Sequence, residues 1–422
     1  MKTLNDDAWE RIFERYNILD EVNRREHFRI SATQIKEFRE PRLMTKFDHA
    51  INLPKIFLDN NLTILPVARG DYLISHFEAY HTLEDNNSPI IHMPLPNYIQ
   101  SLDMNNIFSE SVALNCAFAS GIIAHFLNDD YLLPTISGRM GSGNFNFNIF
   151  NSNLNSTRNV TVSNSQIEID AAYEGIQELA LFEAKRDLSD DFLIRQLYYP
   201  YRTWVNRVNK LIRPVFLIYS NGIYHLYEYV FHDMNDYNSL FITRNGNYSI
   251  EDTSITSADI QDILNGIIPA NEPEIPFPQA NCFERVINLC ELLNGQNLSR
   301  EEITERYAFD LRQTYYYTDA ALYLGLIDKH GLSFSLNEEG IRVFRLNYKQ
   351  RQLAFCRSIL SHCVFANTLR MYFESGNMPT NDMIIQIMRS SNFYNDLCDS
   401  TIRRRSATIK GWINWIISLI ND

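Results

Sequence analysis

The chain has 422 residues, of which 45% are hydrophobic and 13% aromatic, and a formal net charge of −13. That length and composition suit two or three domains with sizeable cores rather than a disordered chain, and no apolar run approaches the roughly 18 residues of a membrane span. The charge excludes an indiscriminate polybasic nucleic-acid binder, and it is uneven: residues 281–422 carry 16 Lys+Arg against 15 Asp+Glu, a net of +1, which leaves −14 for residues 1–280.

Within residues 30–48, Arg39, Arg42 and Lys46 cluster near Thr33 and Gln34. Basic residues beside amides suit phosphate and base-edge contacts, and equally a solvated surface. Residues 62–74 read as two strands around Arg69-Gly70. Residues 109–127 carry the pattern of one amphipathic helix, capped by Ser109 or Asn106. Glu110 in its first turn is either an auxiliary acid or a carboxylate favoured by the helix dipole. The run 138–143, Gly-Arg-Met-Gly-Ser-Gly, lacks the Gly-Lys-Ser/Thr ending of a nucleotide loop. It predicts a loop ahead of a strand at 144–149, either an ordinary loop or one that approaches a DNA groove, with Arg139 and Asn144 as contacts. Val160, Val162, Ile167 and Ile169 mark an extended segment, which Glu174-Gly175 reverses. A second apolar run, 179–182, then leads into Glu183 and Lys185. Residues 191–204 fit a helix with Ser189 or Asp190 as cap, and 215–231 a hairpin turning at Asn221-Gly222.

Prolines at 269, 273, 276 and 278 predict a semi-rigid linker over residues 267–280, because proline blocks helix and central strand alike. Beyond it, 282–293 is helical, 298–307 carries a capping box from Ser299 to Glu302, and 312–327 is a third helix, followed by 328–331 and a strand at 332–336. Three helices and a short hairpin resemble a winged-helix module, whose third helix commonly enters the major groove. Arg312 and Gln313 at the start of that helix are the expected contacts. A second, weaker copy is expected around helices at 380–388 and 400–416. The latter pairs Arg403, Arg404, Arg405 and Lys410 with an apolar stripe of Ile409, Trp412, Trp415 and Ile416. Arg suits bidentate contact to guanine or phosphate, although winged helices also serve as protein-interaction modules. The six cysteines (Cys116, Cys282, Cys290, Cys356, Cys363, Cys398) show no CxxC and no metal-finger spacing. They are expected reduced in cores of a cytoplasmic protein, and the polar, acidic N-terminus is unlike a secretory signal.

The chemistry concentrates between residues 166 and 185. Residues two apart on a strand share a face, so Glu183 and Lys185 point together, as do Glu168 and Asp170. If the two strands pair, three carboxylates and an ammonium converge. Carboxylate oxygens are ligands for a hard cation such as Mg²⁺, and a lysine beside them can orient water or stabilise charge on phosphate. Ala180, Phe182 and Ala184 form an apolar opposite face, which marks the strand as packed rather than edge-exposed.

Strand, turn, strand with Glu-x-Lys, then a helix bearing Arg195 and Gln196 resembles the PD-(D/E)XK nuclease superfamily, and the wider sequence is similar to its type II restriction endonucleases. The resemblance implies metal ligation by Asp170 and Glu183, positioning of the attacking water by Lys185, and a steadying role for Gln196. Ile169 stands where the motif usually has Pro, and Pro200 where a Tyr commonly follows the glutamine. Glu168 is either an additional metal-linked carboxylate or a solvated one. The fold implied is α/β: a restriction-endonuclease-like mixed sheet flanked by helices, plus a mainly α winged-helix C-terminal region. The expected parts are an N-terminal DNA-recognition region (1–100), the catalytic core (101–266), the linker (267–280) and the winged-helix region (281–422, in one or two copies). The function implied is Mg²⁺-dependent, sequence-specific cleavage of double-stranded DNA by a homodimer, with a companion DNA methyltransferase protecting host sites and no membrane partner. Two alternatives stay open: a structure-specific repair or recombination nuclease, and a non-catalytic winged-helix DNA-binding regulator.

Overall fold

In the computed structural model, residues 2–104, 106–391, 393 and 397–421 are described. The chain is mixed α/β, with 17 α-helices and several sheets among the described residues. It divides into two compact units. One joins residues up to Ile91 with Ser109–Tyr219 and Tyr224–Tyr248; the other joins His92–Phe108, Ser220–Ile223 and everything from Ser249 on. No described helix is long and apolar enough to cross a membrane.

The first unit opens with α1 (Leu4–Tyr16) and α2 (Ile18–Arg25), separated by Asn17 in the left-handed region. Then come β1 (Phe28–Ser31), α3 (Ala32–Lys36), α4 (Pro41–Thr45), α5 (Lys55–Asp59), β2 (Thr63–Ala68), β3 (Asp71–Ser75), β4 (Tyr80–Thr82) and β5 (Ile90–His92). A small aromatic core of Trp9, Phe13 and Phe57 ties these together, and the Trp9 indole N–H donates to the Met44 carbonyl at 3.0 Å. That bond satisfies a buried donor and fixes α4 just ahead of Asp48.

Next come α6 (Glu110–Ala119) and α7 (Ile122–Leu127), then β6 (Leu133–Gly141), β7 (Asn144–Asn151), β8 (Ser156–Ser163), β9 (Gln166–Glu174), β10 (Glu178–Lys185) and β11 (Asp191–Leu193). The unit is completed by α8 (Arg195–Trp204), β12 (Leu211–Ser220), β13 (Ile223–Phe231) and β14 (Leu240–Ser249). A seven-stranded sheet runs β5-β14-β13-β12-β10-β9-β6, and a five-stranded sheet β1-β3-β2-β8-β7. β10 is central, parallel to β12 and antiparallel to β9, and buried almost throughout. A strand covered on both faces reads as a continuous apolar run, which explains Leu179–Phe182.

Four expectations change here. The helix expected at 109–127 breaks into α6 and α7, because Gly121 adopts φ +82°; Ser109 does cap α6, accepting from the Val112 N–H. The glycine-rich run 138–143 is mostly strand β6 rather than loop. The extended segment 160–169 is two strands in different sheets, parted at Asn164 (φ +51°). The helix expected from 191 starts at Arg195 with no side-chain cap, since 191–193 pair with β4 instead.

The second and third changes have one cause. β6 pairs with β9 and β7 with β8, and the register runs from Gly141↔Gln166 to Asn144↔Ser163 without a slip. The two pairs are one antiparallel ribbon, bent where it passes between the sheets. Main-chain bonds hold the bend: Ser142 N–H to Ser165 O and Asn164 N–H to Gly143 O, both 2.8 Å. Gly143 has φ +72°, and a Cβ at Gly141 would lie 2.2 Å from Asn164 Oδ1. The glycines serve the bend.

In the second unit follow α9 (Ser257–Gly266), α10 (Phe283–Leu293), β15 (Leu298–Ser299), α11 (Arg300–Arg306), α12 (Leu311–Tyr323), β16 (Ile327–His330), β17 (Ser333–Leu336), α13 (Glu338–Phe344), α14 (Tyr348–Leu360), α15 (Cys363–Ser375), α16 (Asn381–Arg389) and α17 (Asp399–Ser418). β15, β17 and β16 form a three-stranded sheet beside α10–α12. Residues 338–421 contribute no strand among those described, so the second copy around α16 and α17 has no hairpin of its own. The proline-rich stretch forms neither helix nor strand, yet it is no free linker. Phe277 and Ala280 are buried in the unit's core, the Trp412 indole N–H donates to Ala280 O at 2.6 Å, and a Cβ on Gly411 would lie 2.0 Å from Asn281 O. It is a strap against α17. The cysteines are all free, but Cys282, Cys363 and Cys398 are exposed rather than in cores.

Candidate functional site

The ladder between β9 and β10 stops at Phe182↔Ala171, one residue before the charged positions begin. Beyond that point Asp170 replaces the ladder: its Oδ2 accepts the Ala184 N–H at 2.8 Å. A buried main-chain donor is thereby satisfied by a side chain, and the strands can part. The parting opens a cleft of about 270 Å³, lined by Asp170, Glu183, Lys185 and Gln196 with Asp48, Glu110, Glu168, Arg42, Lys46, Arg139 and Arg195.

Glu183 and Lys185 sit on β10 with only 8% and 7% of their surfaces exposed. Glu183 Oε1 accepts from Lys185 Nζ at 2.8 Å and from Gln196 Nε2 at 2.6 Å. Lys185 Nζ also donates to Asp48 Oδ2 at 3.1 Å, and Lys46 Nζ stands 3.5 Å from the same oxygen. Burial raises the Glu183 carboxyl, and the Asp170 and Asp48 charges outweigh enough of Lys185's opposing effect to leave it at about 7. Asp170 and Glu110 are likewise raised, chiefly by burial. For Asp48 the balance reverses: burial is overcome by Lys185, Lys46 and His49, which hold it far below the carboxylate range. Burial would lower Lys185, but Asp48, Glu183, Glu110 and Asp170 keep it well above its ordinary value. Of the two carboxylates that touch Lys185, Asp48 is the ionised counter-charge at neutral pH, and Glu183 is poised to hold a proton.

Next to Asp48, buried His49 lies between two acids, with Nε2 3.3 Å from Asp187 Oδ2 and Nδ1 3.5 Å from Asp191 Oδ1. Its Nδ1 is also 2.7 Å from the Asp191 carbonyl. Burial would lower the imidazole, but hydrogen bonds to Asp187 and Asp191 and the charges of Asp187 and Asp48 push it up to about 10. With both ring nitrogens facing acceptors, the ring is a charged imidazolium. Asp187 is held low in return, its burial outweighed by His49. The Ala50 N–H donates to the Asp191 carboxylate, and the Leu193 N–H to Asp48 O at 2.9 Å. Residues 48–50 are thus bolted to β11.

Among the sequence-selected residues, Asp170, Glu183, Lys185 and Gln196 come together, and Glu168, Arg42, Lys46 and Arg139 line the same cleft. Glu168 is exposed and paired with Arg139 at 3.2 Å, which gives it a partner other than a metal. Arg39 is not at the cleft; its guanidinium donates to Asn5 at 2.5 Å. Asn144 is exposed at the start of β7, outside the cleft lining, because the ribbon carries it into the other sheet. In the second unit, Arg312 is exposed and donates to Tyr316 OH at 2.7 Å. Gln313 is spent locally: it forms a capping box with Asp310, accepting that residue's N–H. Arg403, Arg404 and Lys410 are exposed on α17. Arg405 turns inward, lining a small cavity with Glu272, Phe277 and Tyr323, and its Nε is buried without a hydrogen-bond partner. Asp48, His49, Asp187 and Asp191 were not foreseen; the acid-rich run after Lys185 was the one local signal for Asp187 and Asp191, and Asp48 and His49 had none. Arg195 lines the cleft with its Nε buried and unpartnered.

Among the described residues, no group of three or more His, Cys, Asp and Glu is arranged to hold a metal by itself. The donor set nevertheless fits a hard cation that keeps waters and substrate oxygens in its shell, as magnesium does with one or two carboxylates. Asp170 and Glu183 offer oxygens only, both are raised by burial, and Gln196 Oε1 is a buried acceptor with no partner.

Three family models match the chain, each described as a domain of unknown function: DUF6996 over residues 6–74, DUF6997 over 75–249 and DUF7226 over 285–421. No curated protein and no solved structure matches it.

Proposed function

We propose that this chain is a Mg²⁺-dependent endonuclease of the PD-(D/E)XK type, acting on double-stranded DNA as type II restriction enzymes do. The observation that supports it most is the meeting of Asp170, Glu183 and Lys185 in one cleft, with Gln196 holding Glu183. Asp170 and Glu183 would hold the ion. When bound, magnesium supplies an acidified water and offsets charge on the phosphate oxygens. Lys185 holds an ammonium beside that place, able to orient a water and stabilise charge on phosphorus-bound oxygens. Gln196 fixes the Glu183 carboxylate by donating to it, and Arg42, Lys46 and Arg195 provide positive charge for the flanking phosphates.

On this reading the seven-stranded sheet with α6 and α8 is the restriction-endonuclease-like core, and α10, α11 and α12 with β15, β16 and β17 form a winged helix that binds DNA. The element order helix, short strand, helix, helix, hairpin supports the second assignment. A homodimer and a companion methyltransferase belong to the same proposal, since two-fold sites are cut most simply by a two-fold protein. The test is digestion of phage DNA by the purified chain with Mg²⁺ and with EDTA. Discrete Mg²⁺-dependent bands are expected. A smear would favour a structure-reading nuclease, and no cutting would leave a DNA-binding regulator.

A further inference from the structure

The Asp-Glu-x-Lys motif leaves Lys185 with a single obvious partner, Glu183, two residues back on the same strand. Its second partner comes from 137 residues away. We propose that Asp48 is the positioning residue for Lys185, so that the N-terminal segment around residue 48 is a working part of the cleft rather than only a DNA-reading region. The inference rests on the nuclease reading and names a residue which that reading lacks.

Three observations carry it. First, Glu183 Oε1 already accepts from both Lys185 and Gln196. If Glu183 gives its oxygens to a metal ion, Asp48 is the acceptor that still holds the ammonium. Second, Asp48 is anchored independently of Lys185. Its carbonyl accepts from Leu193 N–H, and the neighbouring His49 and Ala50 bind Asp187 and Asp191. The bolt falls on β11, which ends two residues before Arg195 opens α8 and three before Gln196, so one fastening sets both Lys185 and the start of that helix. Third, Asp48 and Lys185 fall in the separately matched segments 6–74 and 75–249, so neither segment alone contains the pair.

The test uses the full chain with Asp48→Asn, Asp48→Ser and Asp48→Glu. Single-turnover cleavage at saturating DNA reads the rate, and DNA affinity is measured with Ca²⁺ in place of Mg²⁺. The side-chain ammonium resonance of ¹⁵N-lysine-labelled protein, assigned by its loss in Lys185→Met, reads the position of Lys185 without metal or DNA. Outer partners of a metal-site residue typically contribute about 10–100-fold. Asp48→Asn and Asp48→Ser should slow cleavage by about that factor, leave DNA affinity within about two-fold, and abolish or displace the ammonium resonance. Asp48→Glu should restore most of both. Wild-type cleavage in Asp48→Asn or Asp48→Ser, an unmoved resonance, or a loss of affinity matching the loss of rate overturns the inference. If the wild type cuts nothing while Asp48→Asn still erases the resonance, the nuclease reading falls and the positioning of Lys185 stands.

Discussion

Replacing His49 by Gln should weaken the fold in a way that depends steeply on pH. The imidazole is 2% exposed, so solvent does not screen its contacts with Asp187 and Asp191. Its pKa is about 10 in the fold, against about 6.5 in the unfolded chain. A group whose folded pKa is raised contributes stability that is fully present below the unfolded value and lost as pH rises through the folded one. At about 1.4 kcal/mol per unit, the ion pair's contribution should fall by on the order of 4 kcal/mol between pH 6 and pH 10, with most of the decline above pH 7. Gln keeps a hydrogen-bonding side chain but has no titration. Urea unfolding of both proteins at pH 6, 8 and 10 should therefore show a large penalty at pH 6, an intermediate one at pH 8 and little at pH 10. An equal penalty at pH 6 and pH 10 would mean that the ring is neutral in the fold, and the clamp on β11 would not be an ion pair.

Three further outcomes are expected. Asp170→Ala and Lys185→Ala should each abolish Mg²⁺-dependent cutting while folded, DNA-binding protein remains; cleavage surviving in either would show the site to be misplaced. Glu183 titrates in the opposite chemical sense but with the same sign of linkage. Its folded pKa of about 7 lies above the unfolded carboxyl, so its stabilising share is present below about pH 4.5 and gone above pH 7. In EDTA, Glu183→Gln should gain about 3 kcal/mol on the wild type between pH 4.5 and pH 8, and parallel stability curves would refute this. Neutralising Arg403 and Arg404 should flatten the salt dependence of DNA binding by about 0.9 in log–log slope for each phosphate they had neutralised. Neutralising Arg405, which turns inward, should leave that slope alone, whereas a changed slope would place Arg405 on DNA.

The motif strands were legible because their information is local. Alternation places Glu183 and Lys185 on one face, Glu174-Gly175 reverses the chain, and Asn221-Gly222 adopts φ of +51° and +83° as a two-residue hairpin turn requires. The Ser299–Glu302 capping box is formed as its spacing predicts. Asp48 was illegible for the opposite reason: nothing in residues 44–52 encodes a partner 137 positions away, and an Asp-His pair beside Lys46 reads as surface. Gly121 and Asn164 misled by omission. Each sits in an otherwise regular pattern, and only the left-handed φ of one residue divides it. The glycines at 138–143 misled by habit, since glycine suggests a loop although two of them lie within β6.

The bent ribbon made by β6, β7, β8 and β9 also dictates where the sequence can change length. A residue gained or removed at the hairpin tip, between Asn151 and Ser156, can be absorbed there without touching either sheet. The same change at Ser142–Gly143 would shift 133–141 by one place against β9. Because side chains alternate, that shift would turn Arg139 out of the cleft and bring its neighbours in. Indels among relatives should therefore gather at the tip and spare the bend, which makes the bend a fixed landmark for aligning diverged copies around Asp170.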